Sequence, residues 1–263
     1  HCTWYVDGAS RESVMTGRTA YAASVLKPFG MDVMQIDDGW QLGSSSNGPK
    51  KVFIGHNPTG PYPSGMKPIA DTIRAAGMTP GIWLIPFAGS SDDPWFADKT
   101  HWFAKKPDGK PYDTRWGGTC FDLTRDDTRA YLKDVIRTLT RDWGYTYLKM
   151  DGLYTGASLN LNYVCDTFRE DEIGQAVLSD PSVTQIQMMR ESLRLVRQTA
   201  GPDVFLLGCC TPQNMRSAGA AYGLVHAMRI GPDNGANWSA MLRGPEYGDR
   251  KSTRLNSSHE SPS

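Results

Sequence analysis

Apolar residues along the chain fall into two alternating patterns. Short β-rich runs stand at "CTWYV" (2–6), "DVMQI" (32–36), "TPGIWLIPF" (79–87), "YTYLKM" (145–150), "DVFLLGC" (203–209) and "LVHAMRI" (224–230). Between them lie stretches with helical spacing. A helix-like segment ends near "LKPFG"; "MKPIADTIRAAG" carries Ile69, Ala70, Ile73 and Ala76 on one side and stops at Gly77. "DDTRAYLKDVIRTLTRDWG" puts Leu132, Val135, Ile136, Leu139 and Trp143 on one stripe and stops at Gly144, and a helix over roughly 182–200 carries Val183, Ile186, Met189, Leu193 and Val196. A long Gly/Ser/Pro-rich loop follows 32–36 through residue 63, and a second loop runs from 88 to 124. Strands separated by helical crossovers imply a parallel sheet, and the regular repetition predicts an α/β fold of the (β/α)8 TIM-barrel type. No GxGxxG follows the first strand, which weighs against a dinucleotide-binding sheet. Six βα units are counted where a barrel has eight, so two units are expected beyond the C-terminal side.

Composition narrows the function. Among 263 residues, Lys+Arg and Asp+Glu are both 28, the formal net charge is +0 and the pI is about 7.1, so no basic field for nucleic acid or anionic lipid is present. No apolar run approaches the roughly 18 residues that span a bilayer, and no leader pattern opens the chain. It reads as soluble, with the cytoplasm favoured but the compartment left open. Cysteines at 2, 120, 165, 209 and 210 form neither a CxxC nor a disulfide framework, and the histidines show no HxxxH or HExxH spacing. Neither a metal site nor a cofactor is expected. The chain opens on "HCTWYV" without an initiator Met, so sequence upstream is expected. The polar "RKSTRLNSSHESPS" has no periodicity. Residues 1–250 therefore read as one catalytic barrel, incomplete on its C-terminal side, and 251–263 as a disordered or foreign tail.

The candidate chemistry sits at the ends of the strands. In parallel barrels the loops at the carboxyl ends vary without disturbing the packed interior, and here those ends read "QIDDGW", "LKMDG", "LLGCC" and "MRIGPD". Alternation along a strand puts Tyr147, Lys149 and Asp151 on one face and Leu148 and Met150 on the other. A structural Lys149–Asp151 ion pair would be a weak stabiliser after desolvation, so a ligand-binding role is preferred. Asp37 and Asp38 are adjacent like charges that hydroxyl donors could satisfy, with Trp40 offering an apolar face to a sugar ring; the plainer alternative is a turn before Gly39. Arg229 and Asp233 flank a short turn. Trp4, Tyr5 and Trp83 fit either a pocket or ordinary core.

Taken together, "QIDDGWQ" (35–41), "GMTPGIWLIPF" (77–87), "YLKMD" (147–151), "LLGCCTP" (206–212) and "MRIGPD" (228–233) resemble the α-galactosidases of glycoside hydrolase family 36, in the melibiase clan. The resemblance covers residues of about 1–245 in the family's order. It implies a retaining mechanism with Asp151 as nucleophile and Asp233 as acid/base. It further implies that Asp37, Asp38 and Lys149 bind hydroxyls of a galactose-like ring, that Arg229 contacts the sugar near its 2-hydroxyl, and that Trp4, Trp40 and Cys209 line the pocket. "GCCTP" departs from the family, where a small residue more usually follows the first Cys. The expected partner is an oligosaccharide or glycoside substrate, with no nucleic acid and no membrane; a homo-oligomer is possible for the full-length protein. Two alternatives stay open: a galactosyltransferase of raffinose-synthase type on the same scaffold, and a non-catalytic carbohydrate-binding remnant.

Overall fold

The computed structural model describes residues 1–6, 10–43, 48–114, 116–160, 174–209, 215–229 and 233. Along the chain run α1 (Glu12–Tyr21), β1 (Val33–Ile36), β2 (Gln41–Leu42), β3 (Val52–His56), α2 (Met66–Ala75), β4 (Thr79–Leu84), β5 (Ala88–Gly89) and β6 (Thr119–Cys120). Then follow α3 (Asp126–Arg137), β7 (Tyr147–Met150), α4 (Gln185–Ala200), β8 (Phe205–Gly208), α5 (Met215–Ala221) and β9 (Ala227–Met228).

One sheet organises the molecule. Its order is β1-β4-β7-β8-β9, every neighbouring pair is parallel, and each new strand is added on the same side as the last. A doubly wound sheet reverses direction at a switch point; this one never does, which is the winding of a (β/α) barrel. The helical stripes fill the layer against it: Ile73 of α2, Ile136 of α3 and Val196 of α4 are fully buried, as are Ile36, Ile82, Leu84, Leu148, Met150 and Leu206 of the strands. Two helical segments stop where glycine is required, since Gly77 and Gly144 stand at φ +72 and φ +81, a region that side chains with a Cβ disfavour.

The helix expected from about 182 starts at Gln185. Thr184 is its N-cap, with its hydroxyl accepting from the Gln187 N–H while the Gln187 side chain accepts from the Thr184 N–H. This reciprocal pair satisfies two backbone donors that the first turn leaves orphaned. Thr184→Ala is expected to lower stability by about 1 kcal/mol, measured as the denaturant midpoint at unchanged slope.

Three expectations are corrected. Residues 2–6 do not form a strand: Cys2 makes one isolated parallel bridge to Gln35, and Thr3–Tyr5 coil into a 3-10 turn. The turn carries Trp4 and Tyr5 to side chains near the strand ends instead of along the sheet. The run at 224–230 narrows to Ala227–Met228 among the described residues. The loop regions hold two small antiparallel pairs, β2 with β3 and β5 with β6, too short and too Gly-rich for alternation to reveal. The tail expected at 251–263 lies outside the described residues, as do Cys165 and Cys210. Among the described residues, no helix is long and apolar enough to cross a membrane.

Candidate active site

Asp37, Asp151, Cys209 and Arg229 each directly follow a strand of the one parallel sheet: β1, β7, β8 and β9 in turn. Parallel strands all end on the same side, so these four residues share its carboxyl edge.

Asp37 is buried, 3% exposed. Its Oδ2 accepts from Lys149 Nζ at 2.8 Å, Gln35 Nε2 at 2.7 Å and Cys2 Sγ at 3.3 Å, while Oδ1 accepts the Asp38 N–H at 3.0 Å. The Asp37 N–H in turn donates to the Thr3 hydroxyl at 2.8 Å. Lys149 is itself 4% exposed. Burial works against its ammonium, but Asp37, Cys2 and Asp151 together outweigh that penalty, and the Lys149 pKa lies above the ordinary lysine value. Burial and the neighbouring Asp37 push the Cys2 thiol up to about 12, so it is a neutral donor to the carboxylate. The ion pair here therefore joins Lys149 to Asp37 across the sheet, where strand alternation alone suggested Lys149 with Asp151.

Asp151 is 7% exposed. The Trp83 indole N–H donates to its Oδ2 at 3.0 Å, and the Gly152 N–H donates to Oδ1 at 2.8 Å. Its own N–H donates to the Leu84 carbonyl at 2.9 Å, which fixes the root of the side chain to β4. Two donors on two oxygens favour the ionised form and set its direction. Trp83→Phe removes this donor to a charged group, worth about 1.5–3 kcal/mol, and trims a buried ring, so the denaturant midpoint is expected to fall.

The opposite wall is built around Arg229, whose N–H is bonded to the Gly208 carbonyl at 2.9 Å. Its guanidinium pairs with Asp233 Oδ1 and reaches the Tyr5 hydroxyl at 3.3 Å. The Trp4 indole N–H donates to the other Asp233 oxygen at 3.0 Å. Tyr5 also lies under Lys149, with Nζ 6.0 Å from the ring centroid, and burial raises its pKa, so the phenol stays protonated between two cations. Asp233 is exposed, Trp4 is 53% exposed, and together they form a rim above the buried Asp37, Lys149 and Asp151. Two strand spacings, about 10 Å, separate β7 from β9.

Of the candidates named from the sequence, the structure joins Asp37 to Lys149 and gathers Arg229, Asp233 and Trp4. Asp38 is half-buried beside Asp37. Cys209 is fully buried, its N–H bonded to the Met150 carbonyl at 2.9 Å, so its place is under the edge of the sheet. Trp40 is a correction: it is 0% exposed, donates to the Trp83 carbonyl at 2.9 Å and packs edge-on against Phe53 and Trp143. Gly39, at φ +115, turns the chain so that the indole enters the core and presents no face to a sugar. Sequence reasoning did not single out Gln35, Gln41, Thr3 or Cys2. Gln35 had a signal, since it stands two residues before Asp37 on the same strand face.

The sequence profile of the melibiase family matches residues 18–160. Among solved structures, an α-galactosidase from Thermus thermophilus in complex with stachyose is similar at 25% identity and a TM-score of 0.64, over 95% of this chain and 47% of that one. A glycoside hydrolase family 36 α-galactosidase from Geobacillus stearothermophilus in complex with 1-deoxygalactonojirimycin matches at 15% identity and a TM-score of 0.65, over 95% of this chain and 32% of its own. A family 27 β-L-arabinopyranosidase from the same organism shares the fold at 18% identity and a TM-score of 0.60, over 94% of this chain and 56% of that enzyme. The chain thus spans about half the length of the Thermus protein and about a third of the Geobacillus α-galactosidase.

Proposed function

The chain belongs to the melibiase family, and on that footing we propose that it carries the active site of a retaining glycoside hydrolase acting on terminal α-galactosides. The observation that supports this reading best is the placement of Asp151. It is a buried carboxylate aimed by Trp83 and Gly152 at the carboxyl edge of the sheet, with the Arg229–Asp233–Trp4 rim two strands away.

Double displacement assigns these groups complementary work. Asp151 attacks the anomeric carbon while Asp233, in its acid form, gives a proton to the leaving oxygen; the C–O bond breaks and a glycosyl ester forms on Asp151. Water then donates its proton to Asp233 and attacks the same carbon, releasing the sugar with its original configuration. Positive charge developing on the ring is met by the buried Asp151 carboxylate. Asp233 suits the exchanging role because it lies at the exposed rim, open to both leaving group and water; Trp4 and Arg229, each engaging one of its oxygens, hold it there. Lys149, Asp37 and Asp38 are assigned to hydroxyls of the ring, and Arg229 to the region of the 2-hydroxyl. Trp4 is the aromatic side chain placed to contact the ring or its leaving group.

The test is proton NMR of the sugar first released from p-nitrophenyl α-D-galactopyranoside. Retention predicts that α-galactose appears before mutarotation, whereas β-galactose as first product contradicts the mechanism. Repeating the reaction with an acceptor sugar separates hydrolysis from transfer, because a transferase yields an oligosaccharide in place of free galactose.

A further inference from the structure

The two adjacent carboxylates of "QIDDGWQ" are supported very differently. Asp37 has a lysine ammonium and two further side-chain donors. Asp38, among the described residues, has one side-chain donor to its carboxylate: Gln41 Nε2, 2.5 Å from Oδ1. Gln41 is fully buried, and every part of its amide is used. Its Oε1 accepts the Gly39 N–H at 2.9 Å, which fixes the amide orientation and leaves the NH₂ to face Asp38; the same nitrogen reaches the Gly48 carbonyl at 3.3 Å. On the other side of Asp38, the backbone at Gly48 comes so close that a Cβ there would lie 2.1 Å from Oδ2. One oxygen is thus held by a donor and the other is confined by backbone.

We propose that Gln41 is a positioning residue, which sets the Asp38 carboxylate as the acceptor for one substrate hydroxyl and thereby governs how tightly the sugar ring is held. The inference rests on the glycosidase reading and goes beyond it by assigning work to a side chain that cannot itself touch the substrate. Burial disfavours the charged form of Asp38, which raises its pKa, and the Gln41 hydrogen bond works against that rise. The other charged groups that act on it are Lys51, which favours ionisation, and Asp37, which opposes it. Without the Gln41 donor, Asp38 protonates at higher pH and ceases to be a pure acceptor.

The experiment compares pH profiles of kcat/KM on p-nitrophenyl α-D-galactopyranoside for the full chain and three variants. Gln41→Leu removes the donor. The isosteric Gln41→Glu replaces it with a second carboxyl, and Gly48→Ala pushes the Asp38 carboxylate off its partner while keeping the Gln41 side chain. A fall of about 10- to 100-fold, carried by KM more than by kcat, is expected for Gln41→Leu, with the acidic limb displaced to higher pH; Gln41→Glu should displace it further. Adding Asp38→Asn to Gln41→Leu should cost little more than Asp38→Asn alone, because both act on one interaction. An active parent whose Gln41 variants keep its acidic limb, or whose losses simply add to those of Asp38→Asn, overturns the inference and leaves the glycosidase reading standing. If Gln41→Leu fails to fold, Gly48→Ala decides: unchanged KM and acidic limb in that variant overturn the proposal. A parent that hydrolyses no α-galactoside overturns the glycosidase reading and this inference together.

Discussion

Replacing Asp151 by alanine is expected to lower both kcat and kcat/KM on an α-galactoside by roughly 10⁴-fold or more, in line with the loss of other covalent nucleophiles. The reason is specific to the geometry. Asp151 is aimed by donors on both of its oxygens, while the neighbouring Asp37 carboxylate is tied to Lys149 and Gln35. Azide should restore part of the rate, since it can enter the space left by the carboxylate and attack the anomeric carbon from the same face. The product would then be β-galactosyl azide, inverted relative to the substrate. Rescue giving the α-azide, or an alanine variant with wild-type turnover, contradicts the assignment.

The second large effect concerns stability. Lys149 and Asp37 form an ion pair whose side chains are 5% and 4% exposed. Removing one partner strands the other charge, and breaking such a pair costs about 3–5 kcal/mol. Lys149→Met is therefore expected to lower the unfolding free energy by that order, read from denaturant titration. Lys149→Met with Asp37→Leu should recover much of it, because no uncompensated charge then remains, although binding of substrate should stay impaired in both. The pH dependence follows from the raised Lys149 pKa. A group whose folded pKa lies above its unfolded value contributes its full stability below the unfolded value and loses it as pH rises through the folded one. The wild-type contribution is thus constant through neutral pH and falls only above the ordinary lysine range. Lys149→Met should lack this alkaline decline, so the stability difference between the two proteins should shrink at alkaline pH.

Much of this arrangement can be read in the sequence. The apolar runs at 79–87 and 145–150 contain strands β4 and β7, and alternation along "YTYLKMD" sets the core side chains Leu148 and Met150 apart from Lys149 and Asp151. What the pattern does not encode is pairing. Lys149 and Asp37 are 112 residues apart, and they meet because β4 lies between β1 and β7 in the sheet. The same order brings the Trp83 N–H to Asp151, a contact that no local spacing announces. Trp40 shows the opposite failure: an aromatic beside two carboxylates suggests a sugar platform, yet the left-handed turn at Gly39 directs it into the core. Residues 2–6 have the β-rich composition of a strand. There the side-chain bonds of Thr3, Trp4 and Tyr5 to Asp37, Asp233 and Arg229 accompany a 3-10 turn in place of a ladder.

The central claim is that Asp151 forms the covalent bond to the sugar, and trapping that bond tests it most directly. A galactosyl donor with a good leaving group and fluorine at the 2-position, which destabilises the positively charged transition state of both steps, should accumulate the intermediate. Intact-protein mass spectrometry followed by peptide mapping then locates it. The prediction is one added fluorogalactosyl group on the peptide containing Asp151, lost on incubation with an acceptor. A label on any other carboxylate, or steady turnover of the natural glycoside with no labelled protein, would contradict the account.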